Sequence, residues 1–255
     1  MKTIPFILSI CLLLTCSCRR NKTFHSIDSF HDTPVWQLAK LVKAQDTSRI
    51  KEYIESHPFI DIDTQDSEFH KNLLIWTIFN GYYDAFKTLL QSGANPNFVS
   101  SHDGTTPLIY ASKYLSYNYQ PDTRYIETLL LHGADPNIIT VDACSGLSRN
   151  PLSAAATTSV EYVKLLIEKG NANPFLKINN ITPVEQAVIQ NQLETVQYLI
   201  SSFDVSLSIP SGTYGGNKTV LDILKDTSYP EGSKLHFQKQ QILASQENNS
   251  HLTEE

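Results

Sequence analysis

The sequence has few cysteines, and their distribution excludes a fold held together by disulfides. Four are present among 255 residues, and Cys144 is the only one after residue 18. A single thiol cannot form an internal disulfide, so the body of the chain must be held by an apolar core. No His or Lys lies close to Cys144 in the sequence. We therefore predict that Cys144 is an unreactive loop residue.

The sequence also lacks the patterns of common catalytic and metal sites. It contains no Cys-x-x-Cys pair, His-Glu-x-x-His run, phosphate-binding Gly-Lys-Ser/Thr loop or Gly-x-Ser-x-Gly elbow. The histidines are isolated from one another and from other metal ligands, which argues against a metal centre. We expect a protein that is not an enzyme, with no catalytic residue, no metal site and no cofactor.

An excess of positive charge is missing as well. The 20 Lys and Arg residues are outnumbered by 26 Asp and Glu residues, which gives a formal net charge of -6. A nucleic-acid-binding domain normally carries a basic stripe, and none is visible here. We therefore expect no nucleic-acid partner.

The one long apolar run lies at the N-terminus and is typical of an export signal. It covers residues 4–15, after the positively charged Lys2, and is too short to cross a bilayer. The run leads directly into Cys16 and Cys18, and this segment resembles a bacterial lipoprotein signal. In that family, processing cuts before a Cys that becomes lipidated, and several acyl chains together make membrane attachment durable.

The resemblance implies a lipoprotein signal peptide over 1–17 and a lipidated tether over 18–32. Cys18 follows the small Ser17 and is the preferred lipidated residue, with Cys16 as the alternative. An ordinary cleaved signal peptide with incidental cysteines is the other interpretation.

A phrase rich in Gly, Ala, Asn and Pro occurs three times, over 93–97, 133–137 and 170–174. Each copy follows an apolar run that contains a Leu-Leu pair. A phrase that recurs at a regular interval indicates a stack of small units, each in contact only with its neighbours.

The unit that begins at Thr106 explains why such a phrase folds. Thr106 is a natural helix N-cap, and Pro107 suits the first helical position because its missing N–H is not needed there. Ala111 is small enough for two helices to approach closely, and Gly133 is suited to a left-handed helix end. These residues resemble an ankyrin repeat, and the resemblance implies an all-α ankyrin-repeat solenoid of helix-turn-helix units joined by short hairpin loops.

The repeat domain is expected over 33–244. Its units open at Asn72, Thr106, Asn150, Thr182 and Thr219, after a degenerate first unit, and the intervals bracket the family's period of about 33 residues. The expected ranges are 33–66, 67–100, 101–144, 145–177, 178–212 and a cap over 213–244, followed by a disordered tail over 245–255. Leu130 and Leu165 are expected to be buried, so truncating either to Ala would cost about 2–5 kcal/mol.

Departures from the repeat pattern indicate where a partner binds. An insertion near 115–121 carries several tyrosines, and the tip near 206–218 is enlarged and flexible. Tyr combines a large contact area with a hydrogen-bonding tip, which explains its enrichment at interfaces. The predicted partner-binding residues are His102, Asp103, Tyr114, Tyr117, Tyr119 and Tyr214. Tyr110 and Tyr125 are interpreted as core residues, and solvated turns are the alternative for the tips.

The resemblance implies a non-catalytic protein–protein interaction module that binds an unidentified protein partner through its concave face and hairpin tips. The signal implies that lipid tethers this module to a membrane of the bacterial envelope, facing the periplasm or the cell exterior. An immunity-type inhibitor of a toxin or enzyme in the periplasm and a structural envelope scaffold are the alternatives. The missing catalytic set argues against a ligand-binding or peptidoglycan-associated protein with weak activity.

Overall fold

A computed structural model describes residues 26–114 and 121–252 of the chain. Within these residues, helices run in six consecutive pairs, and each expected unit range contains the start of one pair. The pairs are α1 (Trp36–Lys43) with α2 (Thr47–Ser56), α3 (Leu73–Asn80) with α4 (Tyr83–Gln91), α5 (Pro107–Ala111) with α6 (Thr123–Leu131), α7 (Pro151–Ala156) with α8 (Val160–Lys164), α9 (Pro183–Ile189) with α10 (Leu193–Phe203), and α11 (Val220–Asp226) with α12 (Lys234–Leu252).

Successive pairs stack on one another. Each first helix, from α1 to α11, contacts the first helix of the next pair. Among the second helices, α2 contacts α4, α6 contacts α8, α8 contacts α10, and α10 contacts α12. A hydrogen bond of 2.9 Å between Tyr83 Oη and Thr128 Oγ1 joins α4 to α6. This arrangement confirms the all-α solenoid predicted from the sequence.

Side-chain caps define where five of the first helices begin. The caps are the openings identified in the sequence, namely Asn72, Thr106, Asn150, Thr182 and Thr219. Each side-chain oxygen accepts the backbone N–H of the residue three positions later, which satisfies one of the orphan donors at a helix start. The same local chemistry therefore sets the start of each unit.

One short β-hairpin interrupts the helices between α6 and α7. Its strands are β1 (Thr140–Val141) and β2 (Ser148–Arg149), which pair antiparallel with Thr140 opposite Arg149. No other strand pairing longer than a single bridge occurs in residues 26–114 and 121–252. The hairpin projects from the stack as a loop tip and does not form a sheet layer.

The apolar core runs along the whole stack between first and second helices. Leu89, Leu129 and Leu166 take the same place in successive second helices, and all three are fully buried. Leu130 and Leu165 are only half-buried against this core. The expectation that Leu130 and Leu165 are the buried residues of their helices was therefore wrong by one position along the helix.

Asparagine side chains link the turns that follow the second helices. Asn97 Oδ1 accepts the N–H of Asp135 at 2.7 Å, and Asn97 Nδ2 donates to the carbonyl of Gly133 at 2.9 Å. Asn137 repeats both bonds one unit later, to the N–H of Asn173 at 2.8 Å and the carbonyl of Asn171 at 3.1 Å. We call these bonds the turn ladder. They join neighbouring units, and they satisfy backbone N–H and C=O groups of the turns that would otherwise bond to water.

The third copy of the repeat phrase is offset by one residue. The π-helical turn Leu165–Lys169 continues α8 and takes up one extra residue. As a result, Asn171 has a positive φ of 58°, at the place where Gly133 has a positive φ of 85° in the preceding copy. Gly170 serves a different purpose, because a Cβ at this position would lie 2.6 Å from the carbonyl oxygen of Leu166 and 2.9 Å from Leu130 Cδ2. The glycine is required by close packing and not by its φ.

Both ends of the folded region differ from the expected boundaries. Ile27–Phe30 forms a 3₁₀ helix, and its Ile27 and Phe30 side chains are buried in the core. The predicted tether over 18–32 therefore extended too far, because residues 26–32 belong to the fold. At the other end α12 continues to Leu252, so it crosses the expected boundary at 244 and occupies most of the predicted disordered tail.

Within 26–114 and 121–252, none of the helices combines the length and the apolar character needed to cross a bilayer.

Three consecutive leucines at the end of α6 test the assignment of the core. Leu129 is fully buried, Leu130 is half-buried, and Leu131 is 83% exposed. We expect Leu129→Ala to lower the free energy of unfolding by about 2–5 kcal/mol, because it removes contacts and leaves a cavity. Leu130→Ala should cost about 1 kcal/mol, and Leu131→Ala should be nearly neutral. Urea unfolding of the three variants measures this, and equal losses for Leu129 and Leu130 would contradict the packing described.

Candidate functional site

The hairpin tips that precede the first helices form one row, and hydrogen bonds link the first four of them in series. We call this the tip row, and it comprises residues 65–71, 100–105, 141–149, 178–181 and 211–218. Gln65 Oε1 accepts from the N–H and the hydroxyl of Ser101 at 3.1 and 2.8 Å. The carbonyl of His102 accepts the N–H of Ala143 at 3.1 Å. Asn179 makes two bonds to the backbone of Ser148, at 2.9 and 2.8 Å. The first four tips are therefore held by their neighbours.

A buried carboxylate fixes the last tip of the row. Glu185 is fully buried on α9, and its carboxylate accepts from the Ser211 hydroxyl at 2.6 Å and from the N–H groups of Gly212 and Thr213 at 3.0 Å each. Burial alone would raise the pKa of Glu185, but these hydrogen bonds favour the charged form more strongly and lower the pKa. Tyr214 follows directly and is 49% exposed. The enlarged tip is therefore anchored beneath its exposed tyrosine.

Asp103, a predicted partner contact, is occupied by an internal ion pair. Its carboxylate accepts from Lys71 Nζ at 2.5 Å, and Lys71 Nζ also donates to the Ser100 hydroxyl at 3.0 Å. The Lys71 side chain is only 10% exposed. Burial would raise the pKa of Asp103, but the Lys71 ammonium and the bonds from Thr105 hold that pKa well below its usual range. This ion pair holds two neighbouring tips together, so Asp103 makes a structural contact within the protein.

His102 is exposed and lies in a small cluster that the sequence analysis missed. Its ring stacks on His70 with centroids 5.4 Å apart and an interplanar angle of 4°. His102 Nε2 lies 3.3 Å from Cys144 Sγ. The expectation that Cys144 has no His beside it was therefore wrong, because the tips bring together two residues that are distant in sequence. No sequence motif could have indicated this contact.

The predicted tyrosines divide into two groups. Tyr114 is half-buried, its ring packs edge-on against Tyr125 at 5.5 Å, and its carbonyl accepts a hydrogen bond from Tyr162 Oη. Tyr125 is fully buried, as predicted. Tyr114 therefore contributes to packing between units.

Two of the predicted contact residues, Tyr117 and Tyr119, lie outside the described residues, and so do the candidate lipidated residues Cys16 and Cys18.

The side of the stack formed by α5, α7, α9 and the adjoining tips contains a groove with a cavity of about 160 Å³. We call it the central groove. It is lined by Ile109, Lys113, Ser148, Arg149, Asn150, Ser153, Ala154, Thr157, Ile178, Asn179, Ile181 and Gln186. Two of these residues are basic and none is acidic. The signal for this groove in the sequence was the polar residues of α7 and α9, because they interrupt otherwise apolar helices.

The two basic residues of the central groove are held differently. Arg149 Nη2 donates to Asp142 Oδ2, within the tip formed by β1 and β2. Lys113 follows α5, its side chain reaches solvent, and its ammonium makes no ion pair with any residue in 26–114 or 121–252. Partial burial and repulsion from Arg149 lower the pKa of Lys113, and they outweigh the opposing attraction of the Asp103 carboxylate, which lies outside the groove wall. The groove therefore presents positive charge without a matching carboxylate in its wall.

Comparison with known proteins places this geometry among repeat proteins. A family model described as ankyrin repeats, in three copies, matches residues 37–140 and 119–209, which together exceed half of the chain. The structure is similar to the crystal structure of EF0377, an ankyrin repeat protein, with a TM-score of 0.62 and 23% sequence identity. The similarity covers 81% of this chain and 96% of that one, and at this identity it shows the fold alone. No curated protein sequence matches.

The Lys71–Asp103 pair makes a testable contribution to stability. Asp103→Asn should lower the free energy of unfolding by about 3 kcal/mol at neutral pH, because it leaves the buried Lys71 ammonium without its partner. The folded-state pKa of Asp103 lies below the unfolded value of about 3.9, so the pair stabilises the protein above that pH and the contribution is lost as pH falls.

Urea unfolding between neutral pH and about pH 3 tests this, with Glu52→Gln on the exposed surface of α2 as the control. The stability difference between wild type and Asp103→Asn should shrink as the pH falls towards 3. A difference that does not change with pH would show that the ion pair is not its cause.

Proposed function

Because the chain belongs to the ankyrin repeat family, we propose that it is a non-catalytic module that binds a protein partner through its concave face. Ankyrin repeats generally mediate protein–protein interaction. In this chain the binding surface comprises the central groove and the exposed side chains of the tip row. The partner is a folded protein or an extended segment that enters the groove and contacts the tips on either side.

The hydrogen bonds that fix the tip row carry this proposal. Loops that are free in solution lose conformational entropy when a partner orders them, and this loss weakens binding. Here Gln65 and Asn179 already hold tips to their neighbours, and Glu185 holds the last tip to α9. A partner therefore meets a surface whose backbone is already in place, and most of the contact energy contributes to affinity.

The exposed aromatic rings of the tip row supply its main contact area. Tyr214 is 49% exposed above the loop that Glu185 fixes, and Lys218 Nζ lies 5.6 Å from its ring centroid. His102 is exposed on the central tips. Rigid aromatic side chains bury a large area and have few rotatable bonds, which favours their use as anchors. Tyr117 and Tyr119 stay predicted contacts on the basis of their insertion.

We also propose that lipid at Cys18 tethers the module to a membrane of the bacterial envelope, facing the periplasm or the cell exterior, with Cys16 as the alternative residue. The apolar run over 4–15 followed by two cysteines supports this. Because the fold begins by Ile27, the segment from Cys18 to Ile27 reaches at most about 30 Å when fully extended. The binding surface would then operate close to the membrane.

The binding proposal predicts how tip and groove variants affect partner capture. Tyr214→Ala should weaken binding of the recovered partner by about tenfold or more, because exposed aromatic anchors dominate interfaces. Ser153→Tyr should also reduce capture by filling the central groove from α7. Phe59→Ala is the control, since Phe59 is fully exposed in the loop after α2 and outside the proposed surface.

Affinity capture with the full chain, followed by titration of the recovered protein, measures these effects. One stoichiometric partner whose activity stops on binding identifies an inhibitor of the immunity type. Several partners that keep their activity identify an envelope scaffold. If neither Tyr214→Ala nor Ser153→Tyr changes binding, the concave face is not the interface.

The anchor proposal predicts which cysteine carries lipid. Cys18→Ser should abolish incorporation of a labelled fatty acid and release the protein from the membrane fraction, while Cys16→Ser should leave both unchanged. Cys144→Ser is the control for cysteine loss. The opposite result for the first two variants would assign Cys16, and labelling that persists in both variants would overturn lipidation at either residue.

A further inference from the structure

The central groove reverses the charge of the rest of the molecule. The chain has a net charge of -6, whereas the groove wall contains Lys113 and Arg149 and no Asp or Glu. Two acidic residues lie behind this wall, and both are already engaged. Asp142 accepts from Arg149 Nη2 and from the N–H groups of Cys144 and Ser145, and Asp103 accepts from Lys71 Nζ. A positively charged recess on an acidic protein attracts groups of negative charge.

A buried hydrogen-bond donor in the same wall has no acceptor. Asn150 is 1% exposed, and its Oδ1 caps α7 by accepting the N–H of Ser153 at 2.7 Å. Its Nδ2 makes no hydrogen bond in the described part of the chain. Buried polar groups almost always have a partner, so an unpaired donor at the wall of a groove indicates a missing acceptor.

A second unit of the same chain shows which acceptor satisfies such a donor. Asn72 is the equivalent helix cap of α3, and its Nδ2 donates to Asp63 Oδ1 at 2.8 Å. In the unit of Asn150, Asn137 takes the position of Asp63. Asp63 accepts the backbone N–H of Asn95 in the next turn, and Asn137 accepts the backbone N–H of Asn173 in the same way. Asn137 offers no carboxylate. The internal acceptor at Asn72 is thus a carboxylate that the unit of Asn150 lacks.

We infer that the central groove binds an acidic segment of a partner protein, with a carboxylate placed among Lys113, Arg149 and Asn150. The inference rests on the proposed function and names the partner's chemistry. Lys113 supplies an ammonium that has no ion pair among the described residues, and Arg149 supplies guanidinium N–H groups beyond the Nη2 that binds Asp142. The amide of Asn150 is enclosed in the unliganded protein and donates once its side chain turns toward the bound carboxylate. Hydrogen bonds between charged groups of this kind are shorter and stronger than neutral ones.

The size of the groove favours a peptide over a nucleic acid. A cavity of about 160 Å³ accommodates one or two acidic side chains. A nucleic acid needs cations spaced along its phosphate backbone, and the protein's other charges give an overall negative surface. The hydroxyls of Ser153 and Thr157 and the amide of Gln186 surround the two cations and suit a segment that follows the groove.

The inference is tested with a fluorescein-labelled peptide of six glutamates, titrated against the full chain by fluorescence anisotropy. A peptide of six glutamines is the neutral control. We expect binding of the glutamate peptide only, weaker at about 1 M salt than at about 0.1 M, since screening shortens the reach of charges from about 10 Å to about 3 Å. Lys113→Gln should reduce the affinity by about tenfold, while the matched change Lys51→Gln on exposed α2 should not alter it.

Asn150→Thr separates recognition from folding. Thr106, Thr182 and Thr219 cap the equivalent helices, so a Thr at 150 keeps the cap and removes only the amide donor. We expect the thermal unfolding midpoint to be unchanged or higher, and the affinity for the glutamate peptide to fall by about tenfold. Loss of the fold in this variant would leave Lys113→Gln as the deciding measurement, because Lys113 has no ion pair to break within 26–114 and 121–252.

Three outcomes of the peptide titration overturn the inference. The glutamate peptide does not bind, it binds equally to Lys113→Gln and wild type, or a labelled strand of six deoxythymidines binds more tightly with the same residue dependence. The last result would assign a nucleic acid to the groove. If the captured partner depends on Tyr214 and Ser153 but not on Lys113, the concave interface stands and only its acidic specificity fails.

Discussion

Stacking of successive helix pairs is the constraint on which the rest of the structure depends. The first helices α5 and α7 have only five and six residues, and helices of that length are not stable alone. Each pair is stable because its apolar side is covered by the next pair, as at the contact of α5 with α7. The turn ladder through Asn97 and Asn137 adds bonds between backbone and side chain at the same junctions. The fold is therefore a property of the array and not of one unit.

The same stacking determines what the surface can do. Units that repeat in register place their hairpin tips side by side, so a side chain in one tip reaches the backbone of the next, as Asn179 reaches Ser148. Buried charges complete this order, with Lys71 paired to Asp103 and Glu185 bonded to the tip before Tyr214. A surface held in this way binds without first having to fold. Its specificity then depends on the side chains that remain exposed.

Differences between equivalent positions carry information that the repeated positions do not. Asn72 and Asn150 cap helices in the same way, yet only Asn72 has a carboxylate for its amide. In the same manner, Asn171 takes the left-handed conformation that Gly133 has one unit earlier, because the π-helical turn inserts a residue. Comparing units within one chain thus separates what maintains the scaffold from what distinguishes a site. The proposed acidic specificity of the central groove comes from such a difference.

The sequence by itself determined the fold class, the order of the units and five helix starts. The reasons are local, since a cap such as Thr106 bonds a residue only three positions away and Pro107 acts within its own turn. Only the tertiary structure decided the uses of Asp103, Cys144 and Arg149. Their partners come from other units or from the far side of a loop, as His102 beside Cys144 shows, and stacking alone brings them together. A local sequence pattern cannot indicate contacts between residues that are far apart in the sequence, whereas the repeat that brings these residues together is visible in every unit.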